Sequence, residues 1–127
     1  MDADQESLNR TSELIIGCAF RVINTLGAGF PEKAYENALA HEMRGAGLSV
    51  TQQHKISVYY DGVVVGDDAV DFPVENSVMV ELKAVKMLDS IHTAQCMNYL
   101  KATNLRLCLL LNFGKSRLEI QRVVNGL

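Results

Sequence analysis

Asp71, Glu81 and Lys83 are the residues of this chain whose types and spacing could do chemistry. Glu81-Leu82-Lys83 sets an acid and a base two residues apart inside Val78-Met79-Val80-Glu81-Leu82-Lys83-Ala84-Val85, a run that otherwise reads as a buried strand. Side chains alternate across a strand, so Glu81 and Lys83 share one face while Val80, Leu82 and Ala84 take the other. Asp71 and Glu81 each lie five residues from Asn76. A hairpin turning at Glu75-Asn76-Ser77 would therefore set the two carboxylates opposite each other on one face. Two converging carboxylates beside a lysine point to a divalent-metal site. The plainer alternative is a salt bridge between Glu81 and Lys83 on a solvated sheet face.

The rest of the chain supplies the elements that hold these residues. Leu8, Leu14, Ile15, Cys18, Ala19, Val22, Ile23 and Leu26 recur at helical steps, predicting an amphipathic helix from about 6 to 26, stopped by Gly27 and Gly29. A second helix follows. Pro31 suits its first position, Glu32 its positive N-terminal dipole, and Ala34, Tyr35, Ala38, Leu39 and Met43 its buried face, until Gly45 and Gly47 end it. The period then changes to two. Val50, Gln52, His54, Ile56, Val58 and Tyr60 mark one face of a strand, Asp61-Gly62 is a turn, and short strands are expected near 63 to 67, 69 to 74 and 77 to 85. Asp67-Asp68 reads as an exposed turn. Pro73 has no amide hydrogen and belongs on an edge or at a bulge, where it could slip the Asp71–Glu81 register by one residue. After a cap at Asp89-Ser90, residues 91 to 103 read as a helix, Arg106 to Phe113 as a central strand, Gly114-Lys115-Ser116 as a turn and Leu118 to Val124 as a last strand. The predicted order is α-α-β-β-β-β-α-β-β, in the α/β (α+β) class.

With 127 residues and 48% hydrophobic content, residues 1–127 fit one globular domain with a real core. A net charge of -3 and a pI near 5.5 exert no global pull on nucleic acid or anionic membranes. Any nucleic-acid binding must be local, with Lys33, Lys55, Lys86, Lys101, Lys115 and Arg117 as the cations that would have to gather. Cys18, Cys96 and Cys108 form no CxxC pair and sit in apolar surroundings, which favours buried free thiols in a reducing compartment over disulfides or zinc. The N-terminus is acidic and polar, and no apolar run approaches the about 18 residues of a membrane span. A cytoplasmic protein without a membrane partner is expected.

Gly29-Phe30-Pro31-Glu32-Lys33-Ala34-Tyr35 fits the signature of the GxxExxY proteins, a bacterial and archaeal family in the PD-(D/E)XK nuclease superfamily, which this chain resembles over nearly its whole length. The later landmarks appear in order: Asp71, Glu81-Leu82-Lys83 as the (D/E)xK element, Gln95-Cys96-Met97-Asn98-Tyr99 as the QxxxY element, and Leu109-Leu110-Leu111-Asn112-Phe113-Gly114. The resemblance implies a restriction-endonuclease-like core, a central mixed β-sheet flanked by helices, with one or two Mg2+ ions. Mn2+ is a possible substitute, and DNA or RNA is the expected partner and substrate.

Cleaving a phosphodiester needs a nucleophile near neutral pH and neutralisation of the charge on the phosphoryl oxygens, which a hard cation held by carboxylates can supply. Asp71 and Glu81 are the expected ligands, with the Leu82 carbonyl as a further oxygen. Lys83 would orient the attacking water or stabilise the transition state. Glu32 is ordinary dipole compensation or, from its place in the signature, another metal ligand, with Tyr35 packing against it or bonding it in place. Gln95, Tyr99 and His92 share one helical face that could line the cleft, where Gln95 would bind phosphate or fix Lys83. His92 is the less suited to be a ligand, and His41 and His54 show no metal-ligand spacing. Ala69 and Val70 stand where many relatives carry a basic residue. The alternative functions are a non-catalytic nuclease-fold module that binds nucleic acid or protein, and a homo-oligomer, such as a homodimer, joined through the charged strand face or an exposed apolar first helix.

Overall fold

In the computed structural model, which describes residues 3–126, the elements follow the predicted order. They are α1 (Ala3–Leu26), α2 (Glu32–Gly45), β1 (His54–Tyr60), β2 (Val63–Val70), β3 (Phe72–Val74), β4 (Val78–Lys83), α3 (Ser90–Thr103), β5 (Leu107–Asn112) and β6 (Glu119–Val124). This is an α+β architecture with the order of a restriction-endonuclease-like core. The strands do not form one sheet. β3-β4-β5-β6 make a four-stranded mixed sheet in which only β4 and β5 are parallel, and β1-β2 stand apart as an antiparallel ribbon.

Strand alternation divides the core into two layers. Val78, Val80 and Leu82 of β4 and Leu107, Leu109 and Leu111 of β5 point toward α1 and α2, where Ile15, Tyr35, Leu39 and Met43 meet them. Met79, Cys108 and Leu110 point the other way, onto Cys96 and Leu100 of α3. Every residue of β5 is buried, as expected of a parallel-paired strand covered by helices on both sides. Glu81 and Lys83 follow the parity of Met79 and so lie on the α3 side.

Three turns set this geometry. Gly27, with φ 69°, closes α1 by donating its amide to the Ile23 carbonyl, and the chain enters α2 at Pro31. Asp61 and Gly62, both at positive φ, make the tight β1–β2 turn predicted for an Asp-Gly pair. Glu75 and Asn76, also at positive φ, turn β3 into β4. The resulting register pairs Phe72 with Val80 and Pro73 with Met79, so Asp71, one residue beyond the ladder, arrives across from Glu81. Pro73 causes no slip because β3 is the edge strand of its sheet, where a missing amide costs no ladder bond.

Several local expectations need correction. Residues 67 and 68 are not a turn but part of β2, opposite Ser57 and Ile56. The ribbon is half solvated and has little core to penalise charge there. Residues 50 to 53 are not strand apart from a single bridge between Val50 and Val74, because Gln53 takes φ 55° and breaks the extension. Among the described residues no helix is long and apolar enough to cross a membrane, and all three cysteines are buried free thiols.

Candidate active site

The β3–β4 turn brings Asp71 and Glu81 together at the C-terminal end of β4, and their contacts are reciprocal. The Asp71 amide donates to Glu81 Oε1 at 3.1 Å, and the Leu82 amide donates to Asp71 Oδ2 at 2.7 Å. Each carboxylate is thus held by the backbone beside the other, which fixes both without neutralising either. Glu81 is only 5% exposed. Burial, with Asp71 adding repulsion, pushes its carboxyl up to about 8, although the Asp71 amide and Lys83 pull the other way. Asp71 is also raised, first by burial and then by the charges of Glu36 and Glu32, against the opposing bonds from Leu82 and Gln53. Among the described residues neither carboxylate forms an ion pair with a lysine or arginine. The site is short of positive charge.

A third acid reaches it from α2. Glu36 is 4% exposed and accepts from Lys33 Nζ at 3.1 Å, Gln52 Nε2 at 2.8 Å and Gln53 Nε2 at 2.8 Å. The same Gln53 amide nitrogen donates to Asp71 Oδ1 at 3.2 Å, and the Gln53 backbone donates to the Asp71 carbonyl at 2.7 Å. Gln53, held at positive φ, is the clamp that links the α2 carboxylate to the strand carboxylate. Sequence reasoning placed the helix-side acid at Glu32, which is exposed in the first turn of α2 and weighs less on Asp71 than Glu36 does. The overlooked signal was helical spacing. Glu36 lies three and seven residues before Leu39 and Met43, on the stripe that faces the core.

Tyr35 does not hold Glu32. Its hydroxyl donates to the Gly27 carbonyl at 2.5 Å and accepts from the Phe30 amide at 3.1 Å, while its ring stacks on Phe113 with centroids 5.1 Å apart. It ties the α1–α2 connection to the end of β5, and so fixes where α2 begins. Asn112 performs the matching task behind Lys83, its partner in the β4–β5 ladder. Its side chain accepts from the Val85 and Gly114 amides and donates to the Val85 carbonyl and Glu119. A Cβ on Gly114 would lie 2.2 Å from the Val85 carbonyl oxygen, so glycine is required for the chain to pass that close. Together they clamp the segment leaving Lys83.

The α3 residues are divided. His92 serves a capping box with Asp89, accepting from the Asp89 amide through Nδ1. Cys96 packs behind the carboxylates, against Cys108, whose thiol is pushed up by Cys96 and by burial. Gln95 and Tyr99 line a groove against β1. Of the residues singled out in sequence, the structure brings together Asp71, Glu81, Leu82 and Lys83. It leaves Glu32 at the rim, Tyr35 in the scaffold, and Gln95 and Tyr99 in the groove.

The donor set suits a hard cation: oxygen ligands only, with Asp71 and Glu81 held close and, among the described residues, neither paired with a lysine or arginine. Among the described residues no three histidine, cysteine, aspartate or glutamate side chains form a ready metal cage. Magnesium needs none, since it is commonly bound through one or two carboxylates plus waters and substrate phosphates.

Residues 9–123 match the sequence model of a family described as the PD-(D/E)XK nuclease superfamily. The crystal structure of SSO0001 has the same fold, with a TM-score of 0.58 at 15% identity, covering 98% of this chain and 63% of that chain. The chain thus spans a little under two thirds of the length of that solved protein. No curated protein matches it.

Proposed function

This chain belongs to the PD-(D/E)XK nuclease superfamily, and on the strength of its site we propose that it is an Mg2+-dependent nuclease of the GxxExxY branch that hydrolyses DNA or RNA phosphodiester bonds. The supporting observation is the Asp71–Glu81 pair, two backbone-held carboxylates with no cationic side chain bonded to either among the described residues. Asp71 and Glu81 would hold the ion, the Leu82 carbonyl would add an oxygen, and Glu36, with Glu32 one turn earlier, would supply further acid from the helix side. When bound, a hard divalent ion supplies a nucleophile near neutral pH and offsets the charge that builds on the phosphoryl oxygens; Mn2+ can take the same ligands.

The chain's own residues do the positioning. Lys83 shares the Glu81 face of β4, and Asn112 and Gly114 fix the backbone that follows it, so its ammonium is available to orient the attacking water or to stabilise the anionic transition state. The Gln53 clamp keeps Asp71 aimed at Glu81. Gln95 contacts phosphate from the groove. The three buried free thiols support a reducing, cytoplasmic setting.

Labelled single- and double-stranded DNA and RNA incubated with Mg2+ or Mn2+ test this reading, with Asp71→Ala and Glu81→Ala as controls. Cleavage by the natural sequence that disappears in both variants supports it. One observation favours a second reading, a nuclease-fold module that binds nucleic acid or protein without cutting: burial and Asp71 push the Glu81 carboxyl up to about 8, so that it keeps its proton near neutral pH. No cleavage of any substrate, together with no metal binding, decides for that module.

A further inference from the structure

Between the β1–β2 ribbon and α3 runs a groove of about 570 Å3. Backbone and side chains from Ile56 to Tyr59 form one wall, and Gln95, Asn98, Tyr99 and Lys101 form the other. The lining combines two aromatic rings, two amides and an ammonium. Among the described residues no carboxylate lines it, in a chain whose 15 acids outnumber 12 lysines and arginines. Tyr59 is 66% exposed and Tyr60, beyond the groove at the ribbon tip, 75%. The inner end is also placed for the chemistry. Ile56 and Tyr99 of its two walls pack against the cluster of Met79 and Cys96, on the face of β4 that also carries Glu81.

We infer that this groove binds single-stranded nucleic acid and leads it to the carboxylates, an inference that rests on the nuclease reading for what happens at its inner end. The volume lies within the about 300–1,000 Å3 of pockets that enclose a small ligand, enough for one or two nucleotides and too small to enclose a duplex. A duplex also hides the faces of its bases in the stack, whereas a single strand offers them to aromatic side chains. Tyr59 and Tyr99 supply such rings on opposite walls. Gln95 and Asn98 can donate to and accept from base edges or sugar, and Lys101 neutralises phosphate. The exposed Val64, paired with Tyr59 across the ribbon, extends the apolar surface beside that ring.

Fluorescence anisotropy with short labelled oligonucleotides in EDTA reads strand binding without cleavage and without the metal. The expected result is single-strand affinity at least about tenfold above that of the matching duplex. Tyr59→Ala should weaken single-strand binding about tenfold, the size of one lost base–aromatic stack. Lys101→Glu should weaken it several-fold and flatten its salt dependence. Both positions are exposed, so folding is not at risk, and Phe20→Ala on α1 should change nothing. Equal or tighter duplex binding, no binding, or indifference to both groove variants overturns the inference. So does a Tyr59→Ala change in self-association, by sedimentation, at unchanged strand affinity, because a second copy would then be the groove's occupant. Magnesium calorimetry on the same variants separates the two claims: strand binding without metal binding sinks the nuclease reading alone, and metal binding with strand binding indifferent to the groove sinks this one alone.

Discussion

The two paired-strand regions beside the site are opposites. β4 and β5 are buried along almost their whole length, packed by helices on both faces and clamped at the end by Asn112. β1 and β2 form a two-stranded ribbon whose outer half, from Val58 to Val65, is exposed and rich in valine and tyrosine. Two strands alone are marginal in water, so the ribbon leans on α3 and on β4. The buried pair is built to hold three side chains in place, and the exposed pair is built to meet something else. Precision and contact have been assigned to different sheets.

The contrast would break most visibly at Lys83. Lys83→Met should lower cleavage by about a thousandfold, or about 4 kcal/mol of transition-state stabilisation, while calorimetric Mg2+ binding and the unfolding midpoint stay near their natural values. Gly114→Ala should cost about 3 kcal/mol in urea unfolding, because the new methyl meets rigid backbone at Val85. Asn112→Ala should cost about 2 kcal/mol by the same measurement, since it strands three half-buried backbone groups of Val85 and Gly114 at once. A substitution at the ribbon tip, such as Tyr60→Ser, should shift stability by less than about 0.5 kcal/mol. A large loss there would show that the ribbon belongs to the core after all.

Between these lies a substitution that should stabilise. Glu81 titrates near 8 in the folded chain and near 4.5 when unfolded. The folded state therefore binds the extra proton, and its stability is full below about pH 4.5 and falls as pH rises toward 8. Asp71, raised in the same direction, adds to the slope. Glu81→Gln keeps an acceptor for the Asp71 amide but never ionises. In metal-free buffer at pH 8 it should be more stable than the natural sequence by on the order of 1–2 kcal/mol, with a flatter pH profile, and it should lose Mg2+ binding.

Much of the site was legible because it depends on short-range arithmetic. The turn at Glu75-Asn76 and the equal spacing of Asp71 and Glu81 from Asn76 determine the facing pair, and an edge position makes Pro73 harmless. Glu36 is legible in principle, through its place on the Tyr35, Leu39, Met43 stripe, but a charged residue on a buried face carries no local signal to set against the exposed Glu32 of the signature. Gln53 was not legible. Its role depends on a positive φ in an irregular connection and on hydrogen bonds to residues 17 and 18 positions away. Nor does alternation in a strand say which sheet it joins, so the separation of β1–β2 from the central sheet, and the groove that separation creates, could be seen only in three dimensions.

The most direct test of the central claim is Mg2+ titration calorimetry at pH 7 in two buffers of different ionisation enthalpy, which counts protons released per ion bound. A metal held by Glu81 must displace the proton that burial and Asp71 keep on it. The account predicts release of close to one proton in the natural sequence and loss of binding in Glu81→Gln. Mg2+ binding with no proton release, or binding undiminished in Glu81→Gln, would contradict it.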